Sequence, residues 1–114
     1  RGTEEFDRSI HDPQWRRALR IYGAFDREKL VGILAARGNG EHISLFFVKS
    51  AYQRLGIGRK LFETLLQDCS PDAVTVNASP YAVPVYRRLG FAATDAEQCA
   101  NGLWYTPMEL RLFC

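Results

Sequence analysis

Eight consecutive residues, Gln53-Arg54-Leu55-Gly56-Ile57-Gly58-Arg59-Lys60, place two glycines among three cations, behind an apolar run and ahead of a helical pattern. Where a strand runs into a helix start through glycines, several backbone N–H groups lack internal partners and carry the positive end of the helix dipole. Such a turn attracts an anion. Gly56 and Gly58 omit side chains that would hold a phosphate off the backbone, and Arg54, Arg59 and Lys60 add charge around it. The spacing is not a Walker loop, since G-x-x-x-x-G-K-[ST] is absent, nor a dinucleotide fingerprint, which needs a third glycine.

The elements that must position this turn alternate along the chain. Thr3 is expected to cap a short helix with Glu4 and Glu5 in its first turn and Phe6 and Ile10 on one face. Asp12-Pro13 is expected to start a second, with Trp15, Ala18 and Leu19 inward. Arg20 to Phe25 and Leu30 to Ala36 favour strand, and the intervening "DREK" reads as a hairpin turn. The second of these strands reads as buried on both faces. After "RGNGE", His42 to Val48 forms a third, also too apolar for a wet side. From Gly58 onward Leu61, Phe62, Leu65, Leu66 and Cys69 recur at one-turn spacing, an amphipathic helix ending near Ser70-Pro71. "AVTVNA" is the next strand, and its link through that helix predicts a right-handed parallel β-α-β crossover. "SPYAVPVYRRLGF" gives a short helix aligning Ala82, Val85, Tyr86 and Leu89, with Pro84 limiting where it begins. Asn101-Gly102 then joins a strand near Ala96 to Cys99 with one near Leu103 to Leu112, where Pro107 marks an edge or a bulge.

Composition excludes several classes. With 114 residues, 46% hydrophobic and 25% charged, the chain fits a single domain, residues 1–114, with one core. A net charge of +2 with dispersed Lys and Arg argues against a nucleic-acid partner. The longest apolar stretches, around Leu30 to Ala36 and Leu45 to Val48, fall far short of the ~20 residues of a membrane helix, so a soluble protein is expected. Cys69, Cys99 and Cys114 are odd in number and far apart, which suits neither a disulfide framework nor a zinc site and points to a reducing cytoplasm without a metal. Starting at Arg1 with no signal-peptide pattern, the chain is expected to have a trimmed N-terminus.

Taken with a second motif, the glycine turn resembles the GNAT superfamily of N-acetyltransferases. Gln53-Arg54-Leu55-Gly56-Ile57-Gly58 matches that family's acetyl-CoA loop, Q/R-x-x-G-x-G/A. "VTVNASPYAVPVYRRLGF" matches its later strand and helix, with Tyr86 in the position of the family's tyrosine. The likeness runs from about Arg20 to Leu112, and "HISLFFV", "SPYAVPVY" and "NGLWYTPM" look like a subgroup of small bacterial members. It implies an α/β (α+β) acyl-CoA N-acyltransferase fold: a mixed, mostly antiparallel sheet with helices on both faces and a central parallel crossover. The sequence departs from the pattern twice. The usual first strand and part of the following helical region are expected to be absent, and Ser79 stands where an asparagine often contacts the pantetheine, with Asn77 nearby.

The resemblance further implies that Phe46, Phe47 and Val48 end a bulged strand whose exposed backbone pairs with pantetheine. Residues Gln53 to Lys60 take the pyrophosphate, and Asn77 and Ser79 are candidate pantetheine contacts. A neutral amine attacks the acetyl-CoA thioester directly, a strand N–H stabilises the oxyanion, and Tyr86 protonates the departing thiolate. Tyrosine suits that role because its ordinary pKa of ~10 keeps it protonated at neutral pH. The base is unassigned among Glu41, Glu97, Glu109 and ordered water. His11 and His42 read as structural, Cys69 as core, and Asn77 and Ser79 equally as backbone-bonding or capping residues. The acceptor, a small molecule or a peptide amine, and the choice between monomer and homodimer stay open. Two rivals remain. One is a non-catalytic acyl-CoA-binding or regulatory module of the same fold, and the other is a scaffold that uses the sheet edge left by the absent first strand.

Overall fold

Arg20–Asp26 (β2) and Lys29–Arg37 (β3) form the antiparallel hairpin expected around "DREK". The computed structural model describes residues 19–112 and the backbone of Thr3–Phe6. The described chain falls into two compact units, one within Arg1–Pro71 and one within Asp72–Cys114.

In the first unit, Thr3–Phe6 (β1) pairs antiparallel with β2, and His42–Val48 (β4) pairs antiparallel with β3. This overturns two expectations. Thr3 to Phe6 is strand rather than helix, and the outer edge of β2 carries a partner strand. A single helical turn fixes several dihedrals for one hydrogen bond, whereas four extended residues beside an open ladder gain several at once. The helix expected over Asp12 to Leu19 lies outside the described residues, apart from Leu19, which is not helical.

β3 is buried on both faces as its composition demands: Val31 is 2% exposed, Leu34 and Ala36 are 0%, and Ala35 is 8%. β4 differs from its expectation, because Leu45 and Phe47 are 49% and 54% exposed. Alternation explains this. Phe46 and Val48 turn toward the helix described next, and Leu45 and Phe47 turn to the opposite face. The bulge expected in Phe46 to Val48 also sits earlier. Ala35 faces Leu45 and Ala36 faces Ile43, so Ser44 is the extra residue, and Phe46 to Val48 pair regularly with Leu34, Ile33 and Gly32.

Helix α1, Ile57–Cys69, buries Leu61, Phe62, Leu65 and Cys69 of the stripe read from the sequence, while Leu66, also expected on it, is only half-buried. Its first turn lies close on the sheet because Gly32 has no side chain there. A Cβ at Gly32 would stand 3.3 Å from Leu61 Cδ1 and 3.4 Å from Ile57 Cγ2. At the other end Tyr22, wholly buried in β2, donates its hydroxyl to Asp68 at 2.7 Å, and Arg20 lies 3.8 Å from the same carboxylate oxygen. Burial pushes the Tyr22 hydroxyl far above 10, with Cys69 and Asp68 adding to it. The helix is thus fixed at both ends.

The second unit is built on Leu103–Arg111 (β8). Ala73–Ala78 (β5) pairs along one side, and the short strands Ala92–Ala93 (β6) and Gln98–Ala100 (β7) pair along the other, all antiparallel. The Asn101-Gly102 turn has φ values of 54° and 79°, as a tight hairpin requires. Pro107 is not on an edge strand. Its carbonyl accepts from Thr94 N at 2.9 Å, and a residue's N–H and C=O point to the same side of a strand. Its missing donor therefore falls at the break between β6 and β7, the irregularity the proline signalled. Val83–Leu89 (α2) carries Pro84 in its first turn and ends at Gly90 in the left-handed region. Of the apolar stripe expected on α2 only Tyr86 is buried; Val85 is 40% exposed.

Candidate functional site

From the end of β4 the chain passes through a short 3₁₀ turn, Ser50–Tyr52, into the glycine loop and α1. Arg54 at φ 67° and Gly56 at φ 84° bend it into the helix start. Gly56 is the helix N-cap, one residue earlier than the periodicity placed it, and no side chain caps it. The first helical bond is Lys60 N–H to the Gly56 carbonyl at 3.0 Å, so the amides of Ile57, Gly58 and Arg59 precede it. No acidic residue lies in the first turn, and Arg54, Arg59 and Lys60 are exposed around it. The electrostatics favour an anion.

The two glycines do different work. A Cβ on Gly56 would meet nothing within 4 Å, so the space beside that backbone is open. A Cβ on Gly58 would instead turn inward, 3.5 Å from Phe46 Cζ and 3.8 Å from Val48 Cγ2, both ordinary contacts. Gly58 serves the approach of α1 to β4, and Gly56 leaves room for a ligand. A pyrophosphate fits this arrangement: open space, a left-handed glycine, helix-start amides and cations.

Other predicted residues take definite places. Gln53 donates Nε2–H to the Val48 carbonyl at 2.8 Å, so its side chain ties the loop to β4. Leu55 is 68% exposed at the loop's outer surface. In the second unit Asn77 and Ser79 are exposed, whereas Val76 and Ala78 beside them are buried at 4% and 1%. The Ser79 carbonyl accepts from Ala82 N at 2.9 Å and Val83 N at 3.1 Å; the N-cap of α2 is Ala82, with no side-chain bond. Tyr86 is 5% exposed, with its ring edge-on to Phe91 at 5.2 Å between centroids. Burial raises its hydroxyl well above 10, so it stays protonated throughout the neutral range.

Among the base candidates, Glu41 folds back over the "RGNGE" turn, Glu97 is exposed, and Glu109 lies 3.6 Å from Arg111 Nη1. His42 is held below its usual 6.5 by burial and then by Arg37, and His11 lies outside the described residues. Cys69 is buried and free, and Cys99 is exposed and free. Among the described residues, no group of three or more His, Cys, Asp or Glu could hold a metal, and no helix is long and apolar enough to cross a membrane. An open depression lined by Asp26, Arg27, Glu28 and Lys29 surrounds the β2–β3 turn and contains none of these groups. Sequence reasoning missed Tyr52, whose hydroxyl donates to Asp26 at 2.7 Å; no periodicity links residues on separate elements.

The sequence matches the family described as the acetyltransferase (GNAT) domain over residues 1–112. The chain belongs to the GNAT family. Among curated proteins none matches. Solved structures similar to this GNAT domain include a GCN5-related N-acetyltransferase from Rhodopseudomonas palustris, at 24% identity and TM-score 0.72, covering 82% of this chain and 62% of that one. The PaiA N-acetyltransferase of Thermoplasma acidophilum, solved with coenzyme A, is 17% identical with TM-score 0.70, covering 85% of this chain and 63% of that one. A GNAT family acetyltransferase from Elizabethkingia anophelis with acetyl-CoA bound is 16% identical with TM-score 0.67, covering 96% and 97%. The GNAT domain thus spans less than two thirds of the Rhodopseudomonas and Thermoplasma chains. These likenesses place its fold as the α/β acyl-CoA N-acyltransferase fold.

Proposed function

We propose that residues 1–114 form one acetyl-CoA-dependent N-acetyltransferase domain that hands an acetyl group directly to an amine. The observation that carries this reading is the uncapped helix start at Gly56, open beside its backbone and ringed by Arg54, Arg59 and Lys60, in a chain of the GNAT family. Bound acetyl-CoA would supply an acetyl group already activated as a thioester. The loop Gln53 to Lys60 holds its pyrophosphate, through Ile57 and Gly58 amides and the loop cations. Phe46, Phe47 and Val48 offer strand backbone to the pantetheine, and Asn77 or Ser79 adds a polar contact. Tyr86, a phenol that is neutral at its ordinary pKa and held further from ionisation by burial, donates to the departing sulfur. The amine proton passes to a base, either water or the carboxylate of Glu41, Glu97 or Glu109.

The acceptor is a small-molecule or peptide amine; nucleic acid and membrane are not partners in this reading, a homodimer is compatible with it, and the cytoplasm is the proposed location. The test is thiol release from acetyl-CoA across a broad amine panel, run beside calorimetry with CoA. Amine-dependent release supports the enzyme. CoA binding with a flat panel would replace it by the non-catalytic acyl-CoA-binding module, and absence of CoA binding would remove both. The edge-scaffold alternative has lost its premise, since β1 occupies the edge of β2.

A further inference from the structure

Three ties hold the stretch between β4 and α1. Lys49 N–H donates to the Val31 carbonyl at 2.9 Å, and Gln53 Nε2–H donates to the Val48 carbonyl at 2.8 Å. The third reaches a different element: Tyr52 donates its hydroxyl to Asp26 Oδ2 at 2.7 Å, across a sequence separation of 26. Asp26 ends β2 at the tip of its hairpin, beside Arg27 at φ 62°. That bond raises the Tyr52 hydroxyl above its usual value, as a donor to a carboxylate should be. Two residues beyond Tyr52 the chain enters the left-handed region at Arg54, and it does so again at Gly56. A non-glycine residue in that region is strained and persists only where its surroundings hold it.

We infer that Tyr52 and Asp26 are positioning residues: their hydrogen bond pins the start of the glycine loop to the β2–β3 hairpin and sets the Arg54 to Gly58 backbone in its anion-binding shape before any ligand arrives. The inference rests on the proposed acetyl-CoA reading only for its consequence, not for the brace. Binding energy otherwise spent on ordering the loop would be retained as affinity. Neither side chain belongs to the reacting groups, so loss of the brace weakens acetyl-CoA binding and leaves the chemical step alone.

The experiment compares Tyr52→Phe, Asp26→Ala and Asp26→Asn with the wild-type chain. In the absence of ligand, amide hydrogen exchange at residues 54–58 should accelerate about three- to tenfold in Tyr52→Phe and Asp26→Ala, the size of one exposed charge-assisted bond. Asp26→Asn, which keeps an acceptor, should recover most of the protection. The double variant Tyr52→Phe/Asp26→Ala should be no worse than either single change, because both remove the same bond. With acetyl-CoA, KM should rise by a similar factor while kcat holds. Unchanged exchange at 54–58 in both Tyr52→Phe and Asp26→Ala overturns the inference, and so does faster exchange with an unmoved KM. If exchange responds but the wild-type chain binds no CoA, the brace stands and the acetyl-CoA reading falls.

Discussion

Replacing each loop glycine by alanine separates the two roles the geometry assigns them. Gly56 has φ 84° and ψ 5°, and a Cβ there would meet nothing within 4 Å beyond its chain neighbours. Alanine there meets no clash in the protein, but the left-handed backbone costs about 1–2 kcal/mol, offset by about 0.4–1 kcal/mol from a stiffer unfolded chain. The net loss is about 1 kcal/mol, roughly 5 °C in Tm for a chain of this length. The methyl group would also stand in the space proposed for the phosphate. Forcing a methyl group into a filled site costs about 1–3 kcal/mol, so CoA affinity should fall about 5- to 150-fold. Gly58 lies inside the first turn of α1, and its Cβ would sit 3.5 Å from Phe46 Cζ. Alanine suits a helix better than glycine by up to about 1 kcal/mol, so Gly58→Ala should leave Tm unchanged or higher and CoA affinity within about threefold. Thermal denaturation and isothermal calorimetry with CoA, run on both variants, give the four numbers needed. A folded Gly56→Ala chain with wild-type CoA affinity, or a Gly58→Ala chain weaker than Gly56→Ala, would refute the reasoning.

Three further outcomes are expected. Tyr86→Phe keeps the ring packed edge-on to Phe91, so stability should change by no more than about 1 kcal/mol while single-turnover acetyl transfer drops by about 10² to 10⁴-fold at nearly unaltered acetyl-CoA affinity; transfer at the wild-type rate would reduce Tyr86 to a core residue. Tyr22→Phe removes the hydroxyl donated to Asp68, whose carboxylate keeps Arg20 at 3.8 Å, so the loss should be about 1–2 kcal/mol by urea denaturation, and a variant as stable as wild type would show the bond to be idle. His42 has its folded pKa below 6.5, so the unfolded chain takes up a proton first as pH falls through that value; stability should decline below about pH 6.5, and His42→Gln should flatten that part of a urea-midpoint profile, whereas an identical profile would remove His42 from the cause.

Much of the fold could be read directly where one element carries its own instruction. The stripe Leu61, Phe62, Leu65, Leu66 and Cys69 defines α1, all but Leu66 buried, and Asn101-Gly102 defines its hairpin, because helix period and turn chemistry are local. Thr3 to Phe6 carries no period at all; a single turn of helix and a short strand are both cheap to write in four residues, and the open ladder of β2 decides between them. The apolar run of β4 conceals its own alternation, so the exposed face with Leu45 and Phe47 becomes visible only when α1 is seen to cover Phe46 and Val48. The same limit applies to the loop. Gly56 and Gly58 look alike as letters, and the register of α1 on β4 makes one an opening and the other a packing contact. The Tyr22–Asp68 and Tyr52–Asp26 bonds span 46 and 26 residues, and such pairs are fixed by tertiary structure rather than by spacing.

Burial of Tyr86 bears on the proposed chemistry in two opposite ways. It keeps the phenol neutral, which a proton donor requires, yet it makes the phenolate left after donation expensive, since the same apolar surroundings that raise the pKa would have to hold a charge. A thiol has an ordinary pKa of ~8.5, so complete transfer from a phenol held well above 10 runs uphill. The favourable part of the interaction is then the hydrogen bond itself, which strengthens as negative charge builds on sulfur and acts in a site of low dielectric. On this reading Tyr86 lowers the barrier chiefly as a hydrogen-bond donor fixed in place; it keeps its own proton, and the CoA thiolate takes one from water after it departs. The pH dependence of the single-turnover rate should consequently show no alkaline fall assignable to Tyr86 below pH ~10, because no ionisation of that hydroxyl occurs there. An alkaline limb with a midpoint under ~10 that disappears in Tyr86→Phe would mean that the hydroxyl meets water in the working complex and acts as an ordinary general acid.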